Sequence, residues 1–492
     1  MFQIKCLLTT SYLKYCFCVV LLSLVSACLI GDNSDGDWPI IQASAGNYTQ
    51  LSWVDAYDAF HEQISEQYAF GVWKNIDWYT LNDSIWPKIV LAMNTNDEPA
   101  YATALREYTN YLPDGHVSIQ NGLMGNLIAQ NLGGSYGFGI IGLDDGRVIT
   151  HVVTAGGPAA LAGMQVGDQI LEWDDIAINT ALSNTSTLWR NAANSLATNE
   201  HTLYEKYRSL VLDPIGTNSK IKFFNAGGGI TTTATLTAAN DNATILGKTG
   251  LWNKVDDDEP IKYEVMGSGY GYIMLGALES ENPTFSYDYL SDKLKEAMIF
   301  LTARNVPGIV VDLRGNSGGS DDLAAEFSGY FYSESTVYEY QEYYNAYNGK
   351  FEIVLVDKNE VMTRNIPLYI EPQVPQYRGP VVALVNPLTV SSAEGVAMTI
   401  QNLSRGRVVG FYGTNGSFGM TGGKAYMPGG YLIEFPFGAS LDKNKVIQLD
   451  SKNGVGGVIP DNRTSRTSVN VINYVNGQDV ELAHAVTVLG TL

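Results

Sequence analysis

Apolar positions recur at three- and four-residue intervals through Trp53, Ala56, Phe60 and Ile64, the period of an amphipathic helix. The pattern covers 51–112, breaks at NTNDEP (94–99) and resumes as a further helix over 101–112, so a helical region is expected over 51–127. Beyond it the period changes. Residues 133–140 read GGSYGFGI, 148–153 VITHVV and 230–236 ITTTATL, short strand-like runs set off by glycine turns, with a long helical stretch expected over 184–212. From about 263 strands and helices alternate: YGYIML at 270–275, a helix over 286–303, GIVVDL at 308–313, GPVVALV at 379–385 and a helix over 391–403. The two valine-rich runs are apolar throughout, as strands buried on both faces are. The chain therefore reads as α/β and multidomain: a helical region, a β-rich insert over 128–240, and an α/β core with a mixed, partly parallel sheet over 250–492. The tyrosine-rich stretch 330–347 reads as amphipathic strand surface, with the lining of a peptide cleft as the alternative.

Composition narrows the partners. The 492 residues exceed one compact core, and 51 acidic against 30 basic residues give a net charge of -21. Such a surface repels phosphate backbones, so no nucleic-acid partner is expected. At the amino terminus Lys5 and Lys14 precede an apolar run over 15–25, too short for a comfortable membrane span. It ends in VSAC at 25–28, which resembles the lipobox of bacterial lipoproteins. That resemblance implies a signal peptide over 1–27, lipidation of Cys28 and a polar tether over 28–50. It places the protein in the cell envelope of a Gram-negative bacterium, anchored to a membrane and facing the periplasm. Leu29 is not the aspartate associated with inner-membrane retention, which favours the outer membrane. An ordinary secretory signal is the alternative. All four cysteines fall within the first 28 residues, so the mature chain has no cysteine for a disulfide, a zinc site or a catalytic thiol. No His, Cys or carboxylate cluster shows metal spacing, and neither a metal nor an organic cofactor is expected.

Three elements of the insert come in a telling order: the glycine-rich GGSYGFGI, then GPAALAG at 157–163, then VGDQIL at 166–171. They resemble a PDZ domain of the bacterial protease type. This implies a PDZ-like β-sandwich or barrel whose backbone N–H groups around Tyr136, Gly137, Phe138 and Gly139 receive a terminal carboxylate while a peptide joins the sheet edge. A module that only packs and gates is the alternative.

Two glycine-bearing strand ends carry the chemistry. Residues 311–319 read VDLRGNSGG, and 386–394 read NPLTVSSAE, with GVIPD at 457–461. A serine where a buried strand turns into a helix is held rigidly beside free helix N–H groups, which favour the negative charge of an acyl-transfer intermediate. Taken alone, SSAE over 391–394 is equally a capping box that closes a helix start. The motifs in order resemble the tricorn and C-terminal-processing family of serine peptidases, whose fold is ClpP/crotonase-like. The resemblance implies Ser391 as nucleophile and the N–H groups of Ser392 and Gly318 as oxyanion donors.

A serine hydroxyl needs a base. One branch of that family takes a lysine from a Phe-Gly-Lys-Gly segment; here SFGMTGG at 417–423 puts Met420 in that place, and Lys424 is out of register. The tricorn-like branch takes a histidine, and Asp114-Gly115-His116 matches its Asp-Gly-His. Resemblance thus implies His116 as base, a role suited to an imidazole. For the third, orienting group Asp450 is the candidate, with Asp114 able to cap or orient locally. The expected activity is hydrolysis of cell-envelope polypeptides, taken up through their C-termini, by way of an acyl-enzyme on Ser391. A non-catalytic lipoprotein that binds peptides or apolar ligands on the same fold is the second expectation.

Overall fold

The computed structural model describes residues 45–120, 122–190, 194–252, 259–279, 285–356 and 362–492. The proposed signal peptide, Cys28 and most of the tether lie outside them. Among the described residues no helix is long and apolar enough to cross a membrane.

Three helices open the described chain: Trp53–Gln67, Trp78–Thr95 and Glu98–Tyr111. Each start is capped by a side chain that takes a first-turn N–H, from Ser52, Asp77 and Asp97 in turn. The second ends on Asn96 in the left-handed conformation (φ 52°), where the NTNDEP break falls. Their apolar faces do not close on themselves. Phe60, Ile64, Leu105 and Tyr108 share one core with Ala425, Ile433 and Phe435, which belong to strands more than 300 positions later. The short strand Ser118–Gln120 seals that union by pairing antiparallel with Leu432–Leu441, Ser118 opposite Glu434 and Gln120 opposite Leu432.

The insert is a five-stranded antiparallel run in the order Ile230–Thr237, Asn218–Asn225, Gln169–Trp173, Val148–Val153, Phe138–Gly142, and the short strand Ile176–Ala177 pairs with Gln169–Trp173. Phe138, Ile140, Ile170, Trp173, Ile221 and Phe223 form its core. The long helix expected over 184–212 is instead two, Ile178–Asn184 and Asn199–Leu210. Between them the buried Arg106 guanidinium takes the carbonyls of Leu188, Arg190 and Asn194 at 2.9, 3.1 and 3.3 Å. Ser195 Oγ donates to the Thr109 carbonyl at 2.7 Å. Carbonyls given to another element cannot close helical turns.

The third sheet runs Ile261–Val265, Gly271–Leu275, Ile309–Asp312, Val381–Leu384, Gly406–Gly410, Asn462–Arg463, parallel from the second strand onward. Alternate residues of the valine-rich strands face different cores. Ile309, Val311, Val381 and Ala383 join the helices Tyr287–Ala303, Asp321–Ser328 and Ser392–Gln401. Val310, Val382 and Leu384 meet Ala485, Val488 and Leu489 of the helix Val480–Leu489 on the other side. That two-sided burial is what their unbroken apolar character encodes. The tyrosine-rich stretch forms the strand Thr336–Asn345, which is paired with Leu432–Leu441 and Lys350–Val356 and buries Tyr338, Glu339 and Tyr344. It is sheet interior rather than open surface.

Candidate active site

Ser391 ends the turn that leaves the strand Val381–Leu384 and enters the helix Ser392–Gln401, with φ 57° and ψ -134°. A residue other than glycine in this region is strained and persists only when its surroundings fix it. Several contacts do so here. The Ser391 N–H donates to the Ser417 carbonyl at 3.0 Å and to Glu394 Oε2 at 3.2 Å. The Val390 N–H donates to the Asn316 carbonyl at 3.0 Å. Gly318 (φ 101°) lies so close that a Cβ would come within 2.6 Å of Ser391 Cβ and 2.9 Å of the Val390 carbonyl. The glycine-rich loop is therefore shaped around the serine turn.

Glu394 does more than cap a helix. Its fully buried carboxylate accepts from Thr414 Oγ1 at 2.5 Å, the Gly416 N–H at 2.8 Å and the Ser417 N–H at 3.0 Å, besides Ser391. The Glu394 N–H goes to the Ser391 main-chain oxygen at 2.7 Å. Burial pushes its carboxyl up to about 8 in spite of these donors. A Cβ at Gly457, the first residue of GVIPD, would lie 2.8 Å from Glu394 Oε1. Glutamate, the loop 414–417 and GVIPD are thus one packed unit behind the serine.

His116 arrives from the opposite direction. It sits two residues before the strand Ser118–Gln120, which is stapled to Leu432–Leu441. Gly115 donates its N–H to Ser417 Oγ at 2.7 Å, and a Cβ there would fall 2.3 Å from Asn415 Oδ1. Asn194 Nδ2 holds the Gly115 carbonyl at 2.7 Å. Ser417 is the meeting point: its hydroxyl receives Gly115, and its carbonyl receives Ser391. No hydrogen bond among the described residues joins the His116 ring to Ser391.

The His116 Nδ1 is buried, has no hydrogen-bond partner among the described residues, and stands 4.0 Å from Asp114 Oδ1. Burial lowers the ring's proton affinity; Asp114 opposes that and Lys74 adds to it, so the neutral imidazole is favoured. The Asp114 carboxylate accepts the His116 backbone N–H at 2.9 Å and the Tyr68 hydroxyl at 2.9 Å. Burial alone would raise Asp114, but the Lys74 ammonium, the His116 ring and these donors outweigh it and hold the carboxyl low.

Two sequence expectations find no direct contact to support them in this geometry. Asp450 forms no hydrogen bond or ion pair with His116 among the described residues. Its Oδ1 is 2.5 Å from Lys74 Nζ and its Oδ2 accepts the Phe418 N–H at 2.9 Å, while Asp114 is the carboxylate beside the ring. Gly318 does not present its N–H to a substrate, because that donor is taken by Asn316 Oδ1 at 2.8 Å. What Gly318 supplies is room. The Ser392 N–H, at the first position of its helix, has no acceptor among the described hydrogen bonds, and the Ser392 hydroxyl donates to the Gly319 carbonyl at 2.8 Å. The partly exposed Lys424 pairs with Glu434 at 3.1 Å.

In the insert, Tyr136 and Phe138 are fully buried core residues. The Tyr136 N–H goes to the Val211 carbonyl at 3.4 Å, and the Gly137 N–H to Ser135 Oγ at 3.2 Å. Two of the four expected carboxylate donors are thus already engaged. Phe138–Gly142 is the last strand of its sheet among the described residues, and four of its five residues are buried.

Sequence reasoning missed Lys74, Tyr68 and Ser417. Ser417 belongs to the SFGMTGG segment, whose departure from the lysine motif lies at Met420 rather than at the serine. Lys74 had a signal, a lone cation among Phe70, Trp73 and Trp78.

Residues 269–463 match the model of peptidase family S41. This stretch is similar to peptidase family S41. The match spans the glycine loop, the Ser391 turn and GVIPD, and it makes the chain a serine-type peptidase. Among solved structures, mature CPAF complexed with lactacystin is similar at TM-score 0.57 and 14% identity, over 90% of this chain and 99% of that one. Mature CPAF alone gives 0.56 and 14%, over 89% and 98%. A putative peptidase from Parabacteroides merdae gives 0.46 and 17%, over 89% and 97%. The likeness to CPAF is one of fold, and it runs beyond residues 269–463, over 90% of this chain.

Proposed function

We propose that this S41 peptidase cleaves polypeptides with Ser391 as nucleophile, His116 as general base and Asp114 as the carboxylate that orients and charges the ring. The observation that carries this is the double use of Ser417, which fastens Gly115 and Ser391 to one residue. A neutral imidazole next to an ionised carboxylate suits proton abstraction from a hydroxyl. Ser391 attacks the scissile carbonyl and its proton passes to the ring. The Ser392 N–H, at a helix start, faces the charge that develops on the carbonyl oxygen. The ring returns the proton to the leaving amine, and water activated by the same ring releases the acyl group.

Substrate capture is assigned to the insert, through β-pairing of an extended peptide along Phe138–Gly142. The side chains of Tyr136 and Phe138 serve its core. The lipid anchor at Cys28 and a periplasmic station at the outer membrane rest on VSAC alone. One experiment tests these assignments together. A fluorophosphonate probe labels the wild-type chain in membrane fractions of the expressing cells. Label is lost in Ser391→Ala and falls at least roughly a hundredfold in rate in His116→Ala. In Cys28→Ala the labelled protein is recovered in the soluble fraction. Equal labelling of Ser391→Ala would end the catalytic assignment, and a wild type that binds peptides but takes no label would favour the non-catalytic alternative.

A further inference from the structure

Lys74 lies in the turn between the first two helices, and its side chain is 1% exposed. A buried ammonium is costly unless its three donors are used. It donates to the Pro113 carbonyl at 2.7 Å and to Ser451 Oγ at 3.2 Å, and forms ion pairs with Asp450 Oδ1 at 2.5 Å and Asp114 Oδ2 at 3.6 Å. The Phe70 ring closes one side, its centroid 5.2 Å from the nitrogen. The cation thus spans two segments that matter to the site. One is 113–114, immediately before His116. The other is 450–451, where Asp450 takes the Phe418 N–H at 2.9 Å and Ser451 gives its N–H to the Gly416 carbonyl at 2.9 Å. Residues 416 and 418 flank the Ser417 that carries Ser391.

We propose that Lys74 is a positioning residue of the peptidase site, which holds the His116 turn against the Ser417 loop and keeps Asp114 available as the ring's carboxylate by sharing its charge with Asp450. This rests on the assignment of His116 as base. The charge count gives the idea content. Two carboxylates, Asp114 and Asp450, and one ammonium are sealed together, with Tyr68 donating to Asp114. Remove the ammonium, and one carboxylate must take up a proton. That one is Asp450, which burial already pushes up to about 7 against the pull of Lys74; Asp114, held low first of all by Lys74, still keeps the His116 N–H and the Tyr68 hydroxyl as donors. The ring then faces an ionised Asp114 with no opposing cation. The charged groups that bear on it are Asp114 from its own turn and Lys74 from the turn after the first helix, with Asp450 acting from behind Lys74; Ser417 and Asn194 contact its neighbour Gly115 and do not titrate. Loss of Lys74 stabilises the imidazolium, and the base is switched off at a higher pH.

The test is the rate of fluorophosphonate labelling of the full chain between pH 5 and 9. In Lys74→Met the midpoint of the acid limb moves up by about half a pH unit or more. Lys74→Arg, which keeps the charge, holds the midpoint near the wild-type value. Should Lys74→Met fail to fold by circular dichroism, the paired variant Lys74→Met/Asp450→Asn removes both partners and is read in the same way. A folded variant with an unmoved midpoint and a uniformly lower rate makes Lys74 a merely structural cation and overturns the proposal. His116→Ala separates this from failure of the base assignment. If it keeps the wild-type acid limb, His116 is not the base; if it loses the limb while Lys74→Met leaves it in place, only the role of Lys74 fails.

Discussion

Glu394 sits without solvent among four donors, and burial still pushes its carboxyl up to about 8. Its proton is therefore bound more tightly in the folded chain than in the unfolded one, where a glutamate titrates near 4.5. Stability from this group is complete below the unfolded value and is lost as pH rises through the folded one, because the unfolded state then binds fewer protons. Glu394→Gln removes that dependence. Thermal melts from pH 5 to 9 are expected to show a shallower fall for the variant than for the wild type; parallel curves would refute it. At this scale the sequence was legible where a motif and its chemistry coincide. Ser391 and His116 can be picked out from the sequence because glycines and a strand-to-helix turn surround one and an Asp-Gly pair precedes the other; their catalytic roles are the proposal made above. The orienting carboxylate was not legible. Asp114 and Asp450 are both acidic and both buried, and only the place of Lys74 decides which of them faces the ring.

Helices and strands followed their periods wherever one partner surface explained each face. The runs at 308–313 and 379–385 are apolar throughout because helices cover both sides of the sheet, and they were readable for that reason. The stretch 184–212 was misread because its middle serves another element: Arg106 holds three of its carbonyls, and sequence pattern says nothing of a guanidinium eighty positions away. Arg106 is 1% exposed, and burial lowers its proton affinity to about 10, still far above neutrality. Arg106→Met leaves those carbonyls without a donor and is expected to destabilise the fold on the order of 3 kcal/mol. Urea unfolding measures this, and a midpoint equal to the wild type would show that water replaces the guanidinium.

Across the whole molecule, the helices before His116 and the sheet after residue 419 form a single core, so neither is a free-standing unit. Met427, Tyr431, Ile433 and Phe435 are each 0 or 1% exposed and would be laid bare without the helices. A fragment comprising residues 259–492 is expected to collect in inclusion bodies, and coexpression with residues 45–120 to improve its solubility. A monodisperse fragment with dispersed amide resonances would contradict this. The α/β class and the order of helical, β-rich and α/β segments could be read from pattern alone; the shared core could not, since each amphipathic face shows that it needs a partner without naming it.

The Lys74–Ser451 contact joins residues 377 positions apart. During synthesis the ribosome delivers His116 early, Ser391 much later and this last clasp later still. On the proposed roles, a polypeptide that has just gained Ser391 still lacks the segment that fastens the two halves, so a nascent copy has little means of cutting its neighbours until residues 450 and 451 have followed.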